Sequence, residues 1–463
     1  MSKNAPSERR SSVRMLLHGA YRGFAGGARE LTLDAGTIRE ALDGLVRAHP
    51  SLAERLRDER GKLRPHLALF INQDDARLLG WEDAPLHDGD IVHVIPALSG
   101  GSDRGRTRVA KKVTLLVGTK KGLYILRGDS GRGSWACEGP QFAPAEIHHA
   151  AYDPRDGSMF AAVNQTWGGS RIEVSRDMGK TWKTTKNPAF PEGTDRTFSK
   201  TWHIEPGHEK TPNVVWAGTE PAALFKSEDR GETWTIVKSL DDQPSRAKWV
   251  PGFGGMGLHS IAIDAKDPNK MQVGISVGGV YTTTDGAKTW VQDNKVDGAP
   301  SERPDVFYCI HKLLAHPVES GVRFMRVHEE VYWRDPGETT WRFSTPGLPS
   351  NFGFAAAIHP RDTSTAYCIP LDGMKRTASP FGIGVYRTTD KGKTWDRLDK
   401  GLPEGAAMES VREGMHNDRL DPMGLYFGTA NGDVWASKTE GESWTRIAQY
   451  LPYVTSVHAA MVE

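Results

Sequence analysis

From residue 113 onward the chain alternates short β-rich runs with polar turns, and one turn keeps returning. Val280-Tyr281-Thr282-Thr283 and Gly384-Val385-Tyr386-Arg387 each lead into a segment of the form Ser/Thr-x-Asp-x-Gly-x-Thr-Trp. Full copies are Ser175–Trp182, Ser227–Trp234 and Thr388–Trp395; looser ones are Thr283–Trp290, with Ala287 for the glycine, and Ser437–Trp444, with Thr439 for the aspartate. Trp333–Trp341 is one residue longer, and Gly133-Ser134-Trp135 keeps only the end. The seven tryptophans recur every 47–56 residues, a period of propellers and repeat arrays. In each copy the pattern predicts a hairpin turn: the Asp accepts from nearby backbone amides, the Gly takes φ > 0, and the Trp packs back on its own blade. A four-stranded blade cannot bury both faces alone, so blades stack around an axis.

This turn is the Asp box, and residues 113–463 resemble the sialidase-like BNR β-propellers. Val113–Thr119 has later strands with no inner strand before them, whereas Val457–Val462 is an inner-strand pattern with none after it. Together they predict one blade closed by both segments, seven in all, with no sheet edge left open.

Residues 13–101 carry a different pattern. Val13–Leu17 and Glu30–Leu33 read as a hairpin around the glycine-rich turn Gly23–Gly27. Thr37-Ile38-Arg39-Glu40 is a capping box, and Ile38, Leu42, Leu45 and Val46 follow at helical spacing up to His49-Pro50. Leu67–Asn72 is a buried strand, and His87–Asp90 turns into the last one, Ile91–Ile95. The order β-β-α-β-β describes an α+β, β-grasp domain. Residues 1–12 are expected to be disordered, and the polar, basic stretch 102–112 to be a linker.

Directly after the last strand comes Pro96-Ala97-Leu98-Ser99-Gly100-Gly101. Two glycines have no side chains and thread a narrow active site. With Phe70-Ile71-Asn72 and the Asp88-Gly89-Asp90 turn, this tail resembles the MoaD/ThiS sulfur-carrier family, above all the molybdopterin synthase small subunit and the cysteine-biosynthesis carrier. The resemblance implies a thiocarboxylate on Gly101, made through an E1-like adenylating enzyme and delivered to a sulfur acceptor such as the molybdopterin synthase large subunit. The sequence departs from the family in one respect: Ser102 follows Gly101, so no carboxyl group exists there until that bond is cut, for example by a JAMM-type protease.

The inner strands of the propeller end near Asp-Pro or a similar pair, as at Asp153-Pro154, Glu205-Pro206, His316-Pro317, His359-Pro360 and Asp421-Pro422. Five residues before these ends lie His148, Lys200, His259, His311, Phe354 and His416, with His458 in the last strand. Five histidines in such a column, in a chain with 16, suggest a ring around the channel. Imidazoles there would hold a divalent transition metal (His148, His259, His311, His416, His458) or, with Lys200, an anion. The competing reading is that each His bonds within its own blade, as in WD40 propellers. Nothing in the sequence itself requires a cofactor.

Charge and composition narrow the class. A net charge of +1 gives no bulk attraction for nucleic acid or a membrane surface. Cys137, Cys309 and Cys368 form no C-x-x-C pair and read as reduced core residues; with no apolar leader visible behind Met1, the expected compartment is the cytoplasm. Two functions of different class remain. One is a processed sulfur carrier with the propeller as its platform. The alternative is a sialidase-like BNR hydrolase with a β-grasp accessory domain, for which Asp195-Arg196, Arg303 with Asp305 and Tyr308, or Glu409 with Arg412 and Glu413 would supply the acid, base and arginine groups.

Overall fold

In the computed structural model the described residues are 11–18, 21–57, 61–64, 67–72, 74–96, 111–165, 169–252, 254–298 and 309–462. The chain divides into two units, residues 1–108 and 109–463. Among the described residues no helix is long and apolar enough to cross a membrane.

In the first unit, Ser11–Leu17 pairs antiparallel with Glu30–Ala35 and parallel with the last strand, Ile91–Pro96, which pairs with Leu67–Ile71. The sheet thus places the first and last strands side by side at its centre, and helix Ile38–Ala48 packs its Ile38, Ala41, Leu42 and Leu45 into the core. This is the expected β-grasp. The N-cap half of the expected capping box is present, Thr37 accepting from the Glu40 amide, while the Glu40 carboxylate reaches one residue further back and accepts from Gly36 N–H at 2.8 Å. The strand already includes Ser11 and Ser12, which corrects the expected disorder of 1–12 at its end. Tyr21–Phe24 is a short helix where only a turn was expected. Asn72, at φ 56°, donates to Asp90 and accepts from Ile91 N–H, tying the turn before the last strand to the end of the buried one. Residues 97–110, which contain Gly100, Gly101 and most of the linker, lie outside the described residues.

Among the described residues the second unit is an all-β propeller of seven four-stranded sheets. Six are continuous meanders; the seventh joins Val454–Val462 to Lys112–Thr119, Gly122–Gly128 and Trp135–Gln141. The expected shared blade is therefore present.

The Asp box works as its residue types dictate. In Ser227–Trp234, Asp229 accepts from Thr233 N–H and the Thr233 hydroxyl, and Ser227 Oγ accepts from Gly231 N–H at 2.7 Å. Arg230 and Gly231 both have positive φ, 61° and 87°. A Cβ on Gly231 would sit 2.7 Å from Phe160 of the preceding blade, so this glycine is required by space as well as by backbone. The tryptophans correct the expectation that each packs only on its own blade. Trp182 Nε1–H donates to Gln141, Trp290 to Ser239, Trp341 to the carbonyl of Asp293, Trp395 to that of Ser344 and Trp444 to that of Leu398. Each of these five acceptors belongs to the blade before, so at these five positions the indole is a rivet between blades. The Nε1–H groups of Trp135 and Trp234 are instead buried without a hydrogen-bond partner among the described residues. The cysteine expectation is also corrected: Cys368 is core, Cys309 is partly buried, and Cys137 is exposed on an outer strand.

Trp395 is 8 % exposed. Trp395→Ala is expected to cost the propeller about 3–5 kcal/mol. In calorimetry of the full chain the propeller transition moves to lower temperature while the β-grasp transition stays in place; a shift of both counts against independent units.

Candidate functional site

Antiparallel strands put the loops entering the inner strands and the second-to-third hairpins at one end of the propeller, opposite the Asp boxes. The inner strands begin there, and five of the seven carry a bulge near that end, opposing two residues to one. The extra residues are His148, Trp202, His259, His311 and Thr455. The turn closing each inner strand is set by a backbone hydrogen bond from Asp153, Gly207, Asp264, His316, His359 or Asp418. Counting five back from these anchors gives His148, Trp202, His259, His311, Phe354 and Glu413. Lys200 and His416 are thereby corrected to Trp202 and Glu413: Glu205-Pro206 and Asp421-Pro422 are not where the backbone turns.

Glu413 is the centre of this end of the channel. Lys312 donates to its Oε2 at 2.5 Å, His203 Nδ1 is 3.4 Å from Oε1, and His149 Nε2 is 3.6 Å from Oε2. His203 Nε2 also bonds Glu205 at 3.0 Å, so this imidazole lies between two carboxylates. Burial works against its charge, but Glu413 and Glu205 raise its pKa to about 9. Burial likewise opposes ionisation of Glu413, yet Lys312 and His203 hold it well below the usual carboxylate range. His149 is kept neutral by burial and by the neighbouring His203 cation. Two buried cations, the buried Glu413 and the partly exposed Glu205 thus compensate one another, the condition for burying charge at all. Donor atoms of His149, His203 and Glu413 lie within 4.8 Å of one another, a spacing suited to a metal. The tautomers argue otherwise. His149 Nδ1 accepts from Ile204 N–H, which leaves the proton on Nε2, and His203 is held as a cation.

Of the five histidines expected to form a ring, His416 and His458 are brought together, and the other three are placed in different settings. His416 and His458 stack at 4.3 Å, and His416 Nδ1 accepts from Ala459 N–H. His148 bonds Glu146 and meets the edge of Trp202 at 4.8 Å. His259 bonds Ser260 on the other side of that indole. His311 packs on Phe354 at 4.5 Å and donates from Nδ1 to Gly353. Lys200 reaches Glu220 at 3.4 Å and lies over Trp202. Arg412 is stacked between Trp202 and Phe354, its Nε–H donating to the His311 carbonyl at 2.7 Å.

Of the groups named for hydrolysis, Arg196 is committed to a bidentate pair with Asp241 at 2.6 Å, and Asp195 is exposed. Arg303, Asp305 and Tyr308 lie outside the described residues. Glu409 accepts from the hydroxyl of Tyr453, a residue the sequence did not single out. Burial, then Glu409, raises the phenol pKa, and the charge of Glu146 adds to it. Burial opposes the charge of Glu146, but His148 and Lys120 lower its pKa to about 2. The entrance therefore carries a Glu–Tyr–Glu group, while Glu413 is locked deeper in.

The raised pKa of His203 makes a pH prediction. Its ion-pair stabilisation is complete below the unfolded value near 6.5 and is lost as pH rises through about 9. Urea unfolding of the propeller is expected to lose roughly 2–3 kcal/mol between these pH values. Glu413→Gln, although less stable throughout, should show a much smaller alkaline loss. Equal slopes for both proteins would show that His203 is not held by Glu413.

Residues 15–101 match the ThiS family. Over 82 residues the chain is 29% identical to the sulfur carrier protein CysO of Mycobacterium tuberculosis, covering 17% of this chain and 88% of CysO. The large domain is 26% identical over 291 residues to a probable oligoxyloglucan-reducing end-specific xyloglucanase of Neosartorya fischeri, covering 53% of this chain and 33% of that protein. Against the oligoxyloglucan-reducing end-specific xyloglucanase of Emericella nidulans it is 26% identical over 379 residues, 70% of this chain and 44% of the other. The chain thus spans a third to under half the length of these curated relatives. The GH74 xyloglucanase structure from Xanthomonas campestris has the same fold, with a TM-score of 0.54 at 19% identity over 73% of this chain and 53% of that one. These relatives are xyloglucanases, whereas the Asp box alone points to sialidases. The chain joins a ThiS-family, ubiquitin-like sulfur-carrier domain to a large β-propeller domain that resembles the GH74 xyloglucanases.

Proposed function

We propose that the propeller is a glycan-directed domain of the xyloglucanase type, acting on the glycosidic bonds of a β-glucan. The observation that carries this reading is the sequence likeness to curated xyloglucanases, which covers up to 70% of this chain. Glycoside hydrolysis uses two carboxylates in unlike environments, one holding a proton and one ionised. Glu146, kept ionised by His148 and Lys120, is assigned as the ionised partner, and Glu409, which accepts from the Tyr453 hydroxyl, as the group that must first take up a proton to act as the acid. Glu413 is not assigned, because its ion pairs to Lys312 and His203 leave it no freedom to exchange a proton. Release of reducing sugar from xyloglucan oligosaccharides by the full chain is the test. Glu409→Gln and Glu146→Gln are each expected to lower kcat at least 100-fold. No release from any β-glucan overturns the reading; release unaffected by both variants overturns only the residue assignment.

A second reading concerns the first domain and rests on the ThiS match, which ends at Gly101. Carriers of the ThiS and CysO type work with an E1-like adenylating enzyme and a sulfur acceptor. Here Gly101 becomes a carrier terminus only after hydrolysis of the Gly101–Ser102 bond, because adenylation consumes a free carboxylate. A chain stopped at Gly101 is expected to be adenylated by such an enzyme and the full chain not. Intact mass spectrometry reads the difference, and equal modification of both forms rejects the requirement for cleavage.

A further inference from the structure

A second cluster lies at the channel entrance, apart from the ion-pair centre around Glu413. Cys309 stands just before the inner strand Ile310–Ala315, His311 is the bulged residue of that strand, and His328 sits in the hairpin between Arg323–Val327 and Val331–Arg334 of the same blade. The hydrogen bond from His328 N–H to the Cys309 carbonyl, 3.0 Å, closes the blade edge and holds these segments together. One donor atom from each of the three side chains lies within 4.8 Å of the others. We propose that Cys309, His311 and His328 bind one zinc-class divalent ion, with a fourth coordination position left for water or an anionic ligand.

The tautomer of His311 supports this where that of His149 opposed it in the channel. His311 Nδ1 lies 2.8 Å from the Gly353 carbonyl, which accepts only if Nδ1 carries the proton. The lone pair is then on Nε2. A backbone carbonyl on the far nitrogen is a usual support of a ligating histidine, because it fixes ring orientation and tautomer together. His311 is 2 % exposed, and burial, with Arg412 nearby, keeps it neutral, the form a metal requires. His328 meets His311 edge-on at 5.4 Å and Phe352 at 5.0 Å. The rings of Phe352 and Phe354 pack on His311 at 5.2 and 4.5 Å and limit its rotation.

One thiolate and two imidazoles suit zinc rather than the oxygen-seeking magnesium or calcium, and three protein ligands leave the tetrahedron one position short. Burial holds the Cys309 thiol pKa above its ordinary value, and the Arg412 and Arg376 cations offset this only in part, so the metal must displace a bound proton. Binding replaces the thiol proton with the metal: the S–H bond breaks, a Zn–S bond forms, and the proton leaves to solvent. The ligated ion then carries one net positive charge beside Arg412, which favours hydroxide or a carboxylate in the fourth position.

The test uses untagged full-length protein, loaded with zinc or cobalt(II) and dialysed. The wild type should retain one zinc by elemental analysis. Its cobalt form should show a thiolate-to-cobalt charge-transfer band and the visible absorption of a tetrahedral site. Cys309→Ser should lose the charge-transfer band, and His328→Gln should lose stoichiometric metal, both with the wild-type thermal midpoint of the metal-free protein. His203→Gln, in the separate channel centre, should retain zinc and the band. Absence of retained metal in the wild type overturns the proposal. So does an unchanged cobalt spectrum in Cys309→Ser, or loss of metal only in His203→Gln. Because the readout is metal content and spectrum, a lack of glycan hydrolysis leaves the result intact.

Discussion

A four-stranded sheet has two apolar faces and cannot cover both, so every blade depends on how it is fastened to the next. Here the fastening is the indole at the end of the Asp box. Trp341, Trp395 and Trp444 each bury a large aromatic surface and give their single N–H to a backbone carbonyl one blade back. Apolar burial supplies the driving force, and the hydrogen bond sets the angle, since an indole N–H buried without an acceptor would be costly. The box glycine acts in the same contact: at Gly231 there is no space for a Cβ against Phe160. Turn, blade packing and ring closure are thus one device repeated.

Fastening from the outside leaves the inner strands to converge, and this creates the electrostatic problem at the channel centre. Bulges near the entrance turn two successive residues of a strand toward the same region, which is how His148 and His149 serve different neighbours. Glu413 is buried among Lys312, His203 and His149, and Glu205 completes the charge balance. Removing Glu413 would leave Lys312 and His203 without their shared buried counter-charge, so these three groups behave as a unit and specify which inner strands meet. Its rigidity is also why the chemistry proposed for glycans and for a metal sits nearer the entrance, at Glu146, Glu409 and Tyr453 and at Cys309, His311 and His328.

The two units obey different rules. In the β-grasp domain the sheet order brings the first and last strands together at the centre, so the chain leaves the domain from its most firmly held strand. Nothing in the propeller requires a β-grasp domain, and nothing in the β-grasp core requires a propeller.

Local rules sufficed wherever a structure is written by neighbouring residues. Thr37 and Glu40 announce a capping box, the Asp box announces its own turn, and the half-patterns at Val113 and Val457 announce a shared blade. All three rest on hydrogen bonds or periodicity within a few residues, and the structure contains the last two and the N-cap half of the first. The channel was legible only in part. His148 and His311 were found because their strands end at Asp153-Pro154 and His316-Pro317, and His259 because Asp264 closes its strand at the same spacing. Trp202 and Glu413 were missed because Gly207 and Asp418 close their turns through backbone bonds to Val214 and Gly424, which leave no mark in side-chain type. Glu413 joins Lys312 across 101 positions, and the box tryptophans find partners about 50 residues back. Such pairings are decided by how seven sheets close on one another, so the sequence by itself determined the turns, the blades and the β-grasp order, while only tertiary packing decided which charges meet in the centre.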